Sequence, residues 1–303
     1  MPGFRLRSQM PPGVRRPLRR QVRAEVSDGR PRRRPRRTPP PAPHHIHSSK
    51  RISSLTSDIR SNDRLSQLSD ADFKRVAKGA GAFVNLVVEA FEQQSPVIPE
   101  LLGDGEFLQW SHYPPDDYYD ERSGVLAFYH AHSPEDRRDE EHGHFHCFVE
   151  CSGLSETPPV ARPRKRSGRR LCHLVAISVD MAGVPRRLFA PNQWVTGEWL
   201  YPVDRCASLL ERFSQLPTTA PRPFRWAANL VTMFEPQIID LLGERDQALG
   251  RGRRAGRMAR DEALDIVCSL PLDIDLQLAA IAKDRRRRSK QRRALGSEAR
   301  RDA

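Results

Sequence analysis

Apolar residues first recur at helical spacing along this chain and then shift to a strand-like rhythm. From Phe73 the series Val76, Ala77, Ala80, Val84, Val87, Val88 and Phe91 returns every three or four positions, which predicts an amphipathic helix over 69–94. Ser69 is placed to cap it, Asp70 and Asp72 suit its positive end, and Pro96 and Pro99 mark where it stops. Residues 107–119 gather Trp110, His112, Tyr113, Tyr118 and Tyr119 around Pro114 and Pro115, and read as a packed loop covering a core edge. Two alternating segments, 125–132 and 141–150, then flank the charged stretch 133–140 and predict a two-stranded antiparallel hairpin.

Residues 171–180 are almost wholly apolar, with Leu174, Val175, Ala176, Ile177 and Val179, as expected of a central strand buried on both faces. A turn at 181–184 and a fourth strand over 186–190 follow, while 155–170, rich in Pro, Arg and Gly, reads as an exposed loop. Helical spacing returns at 203–216, where Cys206, Leu209, Leu210 and Phe213 share a stripe. It continues at 226–242, with a kink at Pro236, and in shorter pieces at 259–268 and 276–282. The sum is an α+β fold: an antiparallel β-sheet of about four strands flanked by helices, in a single domain over 61–284.

Charge separates that domain from its ends. Residues 1–50 carry a net +12 and residues 283–303 a net +7, so the stretch between them is acidic within a chain of +13. Runs such as Arg32-Arg33-Arg34-Pro35-Arg36-Arg37 repel themselves and have nothing apolar to bury, so 1–60 and 285–303 are expected to be disordered basic tails. The prolines oppose an amphipathic transit helix, and neither a secretory apolar run nor a membrane-length segment is present, which predicts a cytoplasmic protein. Five cysteines without a Cys-x-x-Cys pair fit a reducing compartment and argue against a disulfide framework or a thiolate zinc knuckle.

Candidate chemistry lies in the hairpin. Five of the ten histidines fall at His130, His132, His142, His144 and His146, all at even positions, so strand periodicity directs them to one face, with Glu150 continuing it and Glu141 on the other. Neutral imidazoles on facing strands suit one divalent transition metal, or proton transfer; a polar sheet face or a hydrogen-bond network fixing register would use the same residues. His173 has the opposite parity in its own strand, so its membership depends on pairing, and His112 is a further loop candidate. Cys147 should face the core with Phe145 and Val149 as an inert thiol. Asn192, Trp194, Glu198 and Trp199 either line a pocket or pack a loop over the sheet. Phosphate-binding glycine loops and the Gly-x-Ser-x-Gly elbow are absent from the sequence.

The run His144-Phe145-His146-Cys147-Phe148-Val149-Glu150 resembles the metal half of the first cupin motif, which implies His144, His146 and Glu150 as ligands. The flanking glycines of that motif are Arg138 and Thr157 here and its second half is missing, so the similarity is one of spacing. A longer resemblance rests on Tyr129-His130-Ala131-His132, Glu141-His142-Gly143-His144-Phe145-His146, His173-Leu174-Val175-Ala176-Ile177-Ser178 and Asn192-Gln193-Trp194-Val195-Thr196-Gly197-Glu198. Together these resemble an uncharacterised bacterial domain family of unknown function, over about Leu65 to Ala282. That resemblance implies one domain and a bacterial origin and transfers no catalytic residue. Two functions follow. One is a metal-dependent oxygenase, isomerase or hydrolase using His142, His144 and His146 with His130 or His132 and Glu150. The other is a non-enzymatic module whose basic tails bind nucleic acid or acidic partners without sequence preference.

Overall fold

Alternating apolar positions build a sheet of six strands rather than about four. They are β1 (Tyr113–Asp120), β2 (Val125–His130), β3 (Gly143–Glu150), β4 (Leu171–Val179), β5 (Pro185–Pro191) and β6 (Ile266–Pro271). Each pairs antiparallel with the next, in the spatial order β1-β2-β3-β4-β5-β6, an open meander. The computed structural model describes residues 61–104, 107–133, 137, 141–154, 156–164 and 168–298, all within one compact unit, His47–Ala303. The stretch 1–60, expected to be a disordered tail, lies outside the described residues. Among the described residues no helix is long and apolar enough to cross a membrane.

The two additional strands arise where the spacing was ambiguous. Residues 107–119 were expected to be a loop, yet Tyr113–Asp120 forms β1. A strand tolerates Pro114 and Pro115 at the edge of a sheet, where a missing N–H breaks no ladder bond, and β1 has β2 as its one neighbour. Its register jumps between Tyr113 and Tyr118, so the intervening residues bulge. Residues 259–268 were expected to be helical, but Ile266–Pro271 completes the sheet beside β5. An apolar run that short satisfies either period, and its β-branched Ile266 and Val267 favour the strand.

One sheet face is covered by helices. The first long one, α2 (Asp70–Glu92), follows the short α1 (Ser61–Gln67), and its Ser69 cap accepts the N–H of Asp72 at 3.1 Å. Its N-terminal half buries the expected Phe73, Val76, Ala77 and Ala80, but its later half buries Phe83, Leu86 and Ala90 and leaves Val84, Val87, Val88 and Phe91 exposed. The cause is close approach to α6 (Arg222–Met233): a Cβ at Gly79 would lie 2.7 Å from Thr232 Cγ2, so the helix is turned to press its glycine onto that neighbour. The break expected near Pro236 separates α6 from α7 (Glu235–Leu249), whose first turn takes the proline at no cost in hydrogen bonds. Phe145 from β3, Phe83 from α2 and Trp226 from α6 meet at ring-centroid distances of 5.6 Å.

Residues 285–298 correct the other expected tail. They continue the helix Ile274–Glu298, which is α9 after α3 (Val97–Leu102), α4 (Gln193–Thr196), α5 (Val203–Leu210) and α8 (Gly252–Met258). Self-repulsion is overcome because one arginine is tied into the core: Arg288, 8% exposed, donates to Asp284 and Asp70 and to the carbonyls of Leu65 and Leu68. Arg288→Ala should therefore cost about 3 kcal/mol, since it takes the donor from two carbonyls and leaves the buried Asp284 with Arg287 alone. A chain ending at residue 284 should show the same loss in urea unfolding, whereas an unchanged midpoint for both would show that the last turns of α9 add nothing to the fold.

Candidate functional site

The sheet face opposite the helices carries the histidines, and the pairing of β2 with β3 puts them there. His130 stands opposite His144 and Phe128 opposite His146, as even parity on both strands requires. The odd positions Ala127, Tyr129, Phe145, Cys147 and Val149 go to the core, where burial pushes the Cys147 thiol up to about 12. The histidine face is itself covered, since His144 is 4% and His146 3% exposed.

Three of the predicted ligands converge. Ring nitrogens of His130, His132 and His144 all lie within 4.8 Å of one another. The Nε2 atoms of His130 and His132 are 3.2 Å apart, within hydrogen-bond distance. His132 lies just past the end of β2 and is held by its ring stacked on Trp110, 4.2 Å between centroids, while the backbone N–H of Trp110 donates to the carbonyl of Ala131 at 2.9 Å. His144 donates Nδ1–H to Glu141 Oε1 at 2.8 Å, which leaves Nε2 as its free donor of a lone pair.

Glu141 had been expected on the other face. It precedes the strand, where parity no longer binds it, and it curls under His144. Ser178 Oγ–H and Arg187 Nη2–H both donate to its Oε2 at 2.7 Å. Burial works against its charge, yet the hydrogen bond and proximity of His144, with Arg187 and Ser178, hold its carboxyl down at about 2. A fixed anion therefore sits behind one imidazole of the trio.

The other predicted ligands are placed elsewhere. His142 is turned to the core side, its Nδ1 hydrogen-bonded to Tyr129 Oη at 2.5 Å and its ring beside Phe107. Strand geometry begins only at Gly143, where a Cβ would stand 2.5 Å from the His130 carbonyl and collide with the Tyr129 hydroxyl, so period-two reasoning does not reach His142, one residue before it. Glu150 shares the face but lies at the far end of β3, where it accepts the Tyr119 hydroxyl proton at 2.5 Å. His146 stays in the row, 4.9 Å from His144 by ring centroid, but its Nδ1 is bonded to His173 Nε2 at 3.0 Å. The cupin-like set of His144, His146 and Glu150 is thus not assembled.

His173 reaches the face through a bulge. The β3–β4 register runs Cys147 opposite Val175 and then Phe148 opposite His173, so Leu174 is skipped and the parity of β4 reverses. Burial lowers His130 to about 2, with His144, His132 and His112 nearby adding to the effect, and it lowers His173 to about 3, with Arg245 and His144 adding. His146 is driven well below its ordinary value by burial and then by His144, His173 and His130. These rings are neutral at neutral pH, the state a metal requires.

A cavity of about 550 Å3 opens over this row, with His130 and His146 in its floor and Arg169, Arg170, Glu198 and Trp199 among its walls. His112 lines it too, stacked 3.7 Å from Phe128 and bonded through Nδ1 to Asp117 at 2.7 Å. Of the residues flagged around α4, Glu198 and Trp199 line the cavity, while Trp194 donates to the Leu264 carbonyl and Asn192 caps α4. Glu198 is 3% exposed, and burial, opposed by Arg245, pushes its carboxyl up to about 8. Glu141, Arg169, Arg170 and Arg187 carried no signal in the sequence beyond their charge, because each arrives from a turn or a separate strand.

Proton linkage supplies a test. Folded, His173 stays neutral down to about 3, while unfolded it takes a proton near its ordinary 6.5, so the unfolded state binds more protons below that point and stability falls as pH drops. By pH 5 the loss from this residue alone is about 2 kcal/mol. In His173→Gln the decline in unfolding free energy between pH 7 and 5 should be shallower; an identical slope would mean that the ring is not held neutral.

No curated protein and no solved structure matches the chain. A domain of unknown function (DUF6969) matches residues 78–272, a span holding all six strands and the histidine row, and the chain belongs to that family.

Proposed function

We propose that the protein is a metal-dependent enzyme in which His130, His132 and His144 hold one divalent transition ion beside the cavity, and a small molecule in the cavity reacts there. The observation that carries this reading is the convergence of three ring nitrogens at a point where one of them, His130, is also cavity wall. Bonds of about 2.0–2.1 Å in a tetrahedron set neighbouring nitrogens about 3.4 Å apart. The His130–His132 separation of 3.2 Å is close to that, and the three nitrogens lie within 4.8 Å of one another. Three imidazoles leave a coordination position open, as catalytic sites do and structural sites do not.

A bound ion would supply Lewis acidity or an activated water at that position. Glu141 fixes the tautomer and orientation of His144 and raises its basicity, with Ser178 and Arg187 holding Glu141 in turn. Glu198, protonated at neutral pH, offers the cavity a proton from a carboxyl that would ordinarily be ionised.

Calorimetric titration of the untagged full chain with Zn, Fe(II), Mn, Ni and Cu tests this. One ion should bind, His132→Gln or His144→Gln should weaken it at least about 100-fold, and Glu141→Gln about tenfold or more. His142→Gln should leave it unchanged. Absence of binding, or equal losses in His142→Gln and His144→Gln, would sink the trio as the site.

A second reading is favoured by α9, whose exposed Lys283, Arg285, Arg286, Lys290, Arg292 and Arg293 form a basic surface. A non-enzymatic module docking on nucleic acid through that helix would show a steep loss of affinity with salt, while the metal content of the chain would not bear on it.

A further inference from the structure

The cavity has a polarity that the metal reading does not use. Its histidine end offers imidazoles, and its other end offers two guanidiniums from the turn leading into β4. Arg169 lies 3.8 Å over the Tyr119 ring, and Arg170 lies 4.2 Å over the Trp199 ring while its Nη2 donates to the Tyr201 hydroxyl. Each guanidinium is thereby held over an aromatic face. The Nε–H of Arg170 is buried and has no hydrogen-bond partner. A buried donor of that kind is costly unless something accepts from it.

Glu150, which accepts the Tyr119 hydroxyl proton and whose carboxyl Arg169 helps to hold down, answers Arg169 in part, but the carboxylates of the wall itself answer neither guanidinium. Asp117 is engaged by His112, and Glu198 accepts the backbone N–H of His173 at 2.5 Å and is neutral at neutral pH through burial. Two guanidiniums then stand near one ionised carboxylate, Glu150, so the guanidinium end keeps a positive excess. Between the two ends the surface is apolar: Leu126, Phe128 and Phe148 from the sheet, with Leu171 and Trp199 beside them. Such a wall fits a flat or aliphatic body a few atoms long, and a planar guanidinium matches a carboxylate in a two-bond fork.

We infer that the cavity binds a small organic acid, its carboxylate on Arg169 and Arg170, its apolar body over Phe128 and Phe148, and its far end directed at the imidazoles. This rests on the cavity being the substrate site of the proposed metal centre, and it names the class of molecule that site takes. The acid group is a handle for orientation: it fixes one end at the arginines so that the opposite end meets His130.

The probe is phenylacetate, with phenylacetamide as the uncharged match and benzyl phosphate as the phosphoryl match, each titrated calorimetrically into the full chain with and without the ion. Phenylacetate should bind and exceed the amide at least about tenfold, and Arg169→Gln and Arg170→Gln should each remove about tenfold of that affinity. Arg169 is exposed, so its variant keeps the test usable should loss of the Arg170–Tyr201 contact disturb folding. Equal binding of acid and amide, indifference to both arginine variants, or no saturable binding of phenylacetate up to about 10 mM overturns the inference. A preference for benzyl phosphate overturns the carboxylate in favour of a phosphoryl ligand. Arginine-dependent phenylacetate binding by a chain that takes up no metal would leave this inference standing and remove the metal centre. Metal uptake with no arginine-dependent binding would do the reverse.

Discussion

The register of β2 against β3 is the constraint on which both halves of the molecule depend. Setting His130 opposite His144 sends the odd positions to the helices and the even positions to the cavity, and a slip of one residue would exchange the two sets. The core could not accept that exchange, because Tyr129, Phe145 and Cys147 are fully buried in its apolar interior, where imidazoles would lose their water without gaining partners. Gly143 adds a local lock, since the strand begins where the Tyr129 hydroxyl and the His130 carbonyl leave no room for a Cβ. The packing that stabilises the fold and the alignment that builds the site are one interaction.

A row of imidazoles on a covered sheet face is tolerable because burial keeps His130, His146 and His173 neutral and because the rings are mostly paired. His146 bonds to His173, His130 to His132, and His144 to a carboxylate. Desolvation removes the proton that would set neighbouring rings repelling each other, and the same desolvation keeps lone pairs available. Glu141 is the exception that organises the rest. It is a buried anion stabilised by Arg187, Ser178 and His144, and it gives one end of the row a defined tautomer while the other rings remain free to trade donor and acceptor roles. The row is thus electrostatically asymmetric, with an anion behind His144 at one end of the site and guanidiniums beyond Phe148 at the other.

Bulges convert regular alternation into that asymmetry. The shift in β1 between Tyr113 and Tyr118 lets His112 fold onto Phe128 and places Asp117 at the cavity mouth. The shift at Leu174 turns His173 under His146 and sends Leu174 to the core. Each irregularity re-aims one side chain that strict pleating would have sent away from the site.

The sequence by itself determined what depends on short-range periodicity. It defined the capped helix from Ser69, the four strands from Val125 to Pro191, the α+β class, and the shared face of His130, His144 and His146, since each follows from a repeat of two or of three to four residues within one element. It over-reached where an element ended: His142 lies one residue before β3, and Val84, Val87, Val88 and Phe91 lie on a helix turned by its neighbour. It under-reached for β1 and β6, whose strand state depends on an edge and a partner strand far along the chain. Only the tertiary structure decided that Glu141 backs His144, that His173 joins the row, that Arg169 and Arg170 close the cavity, and that residues 285–298 are helical. These are contacts between segments remote in sequence, or in turns without periodicity, and only the packed chain settles which of them form.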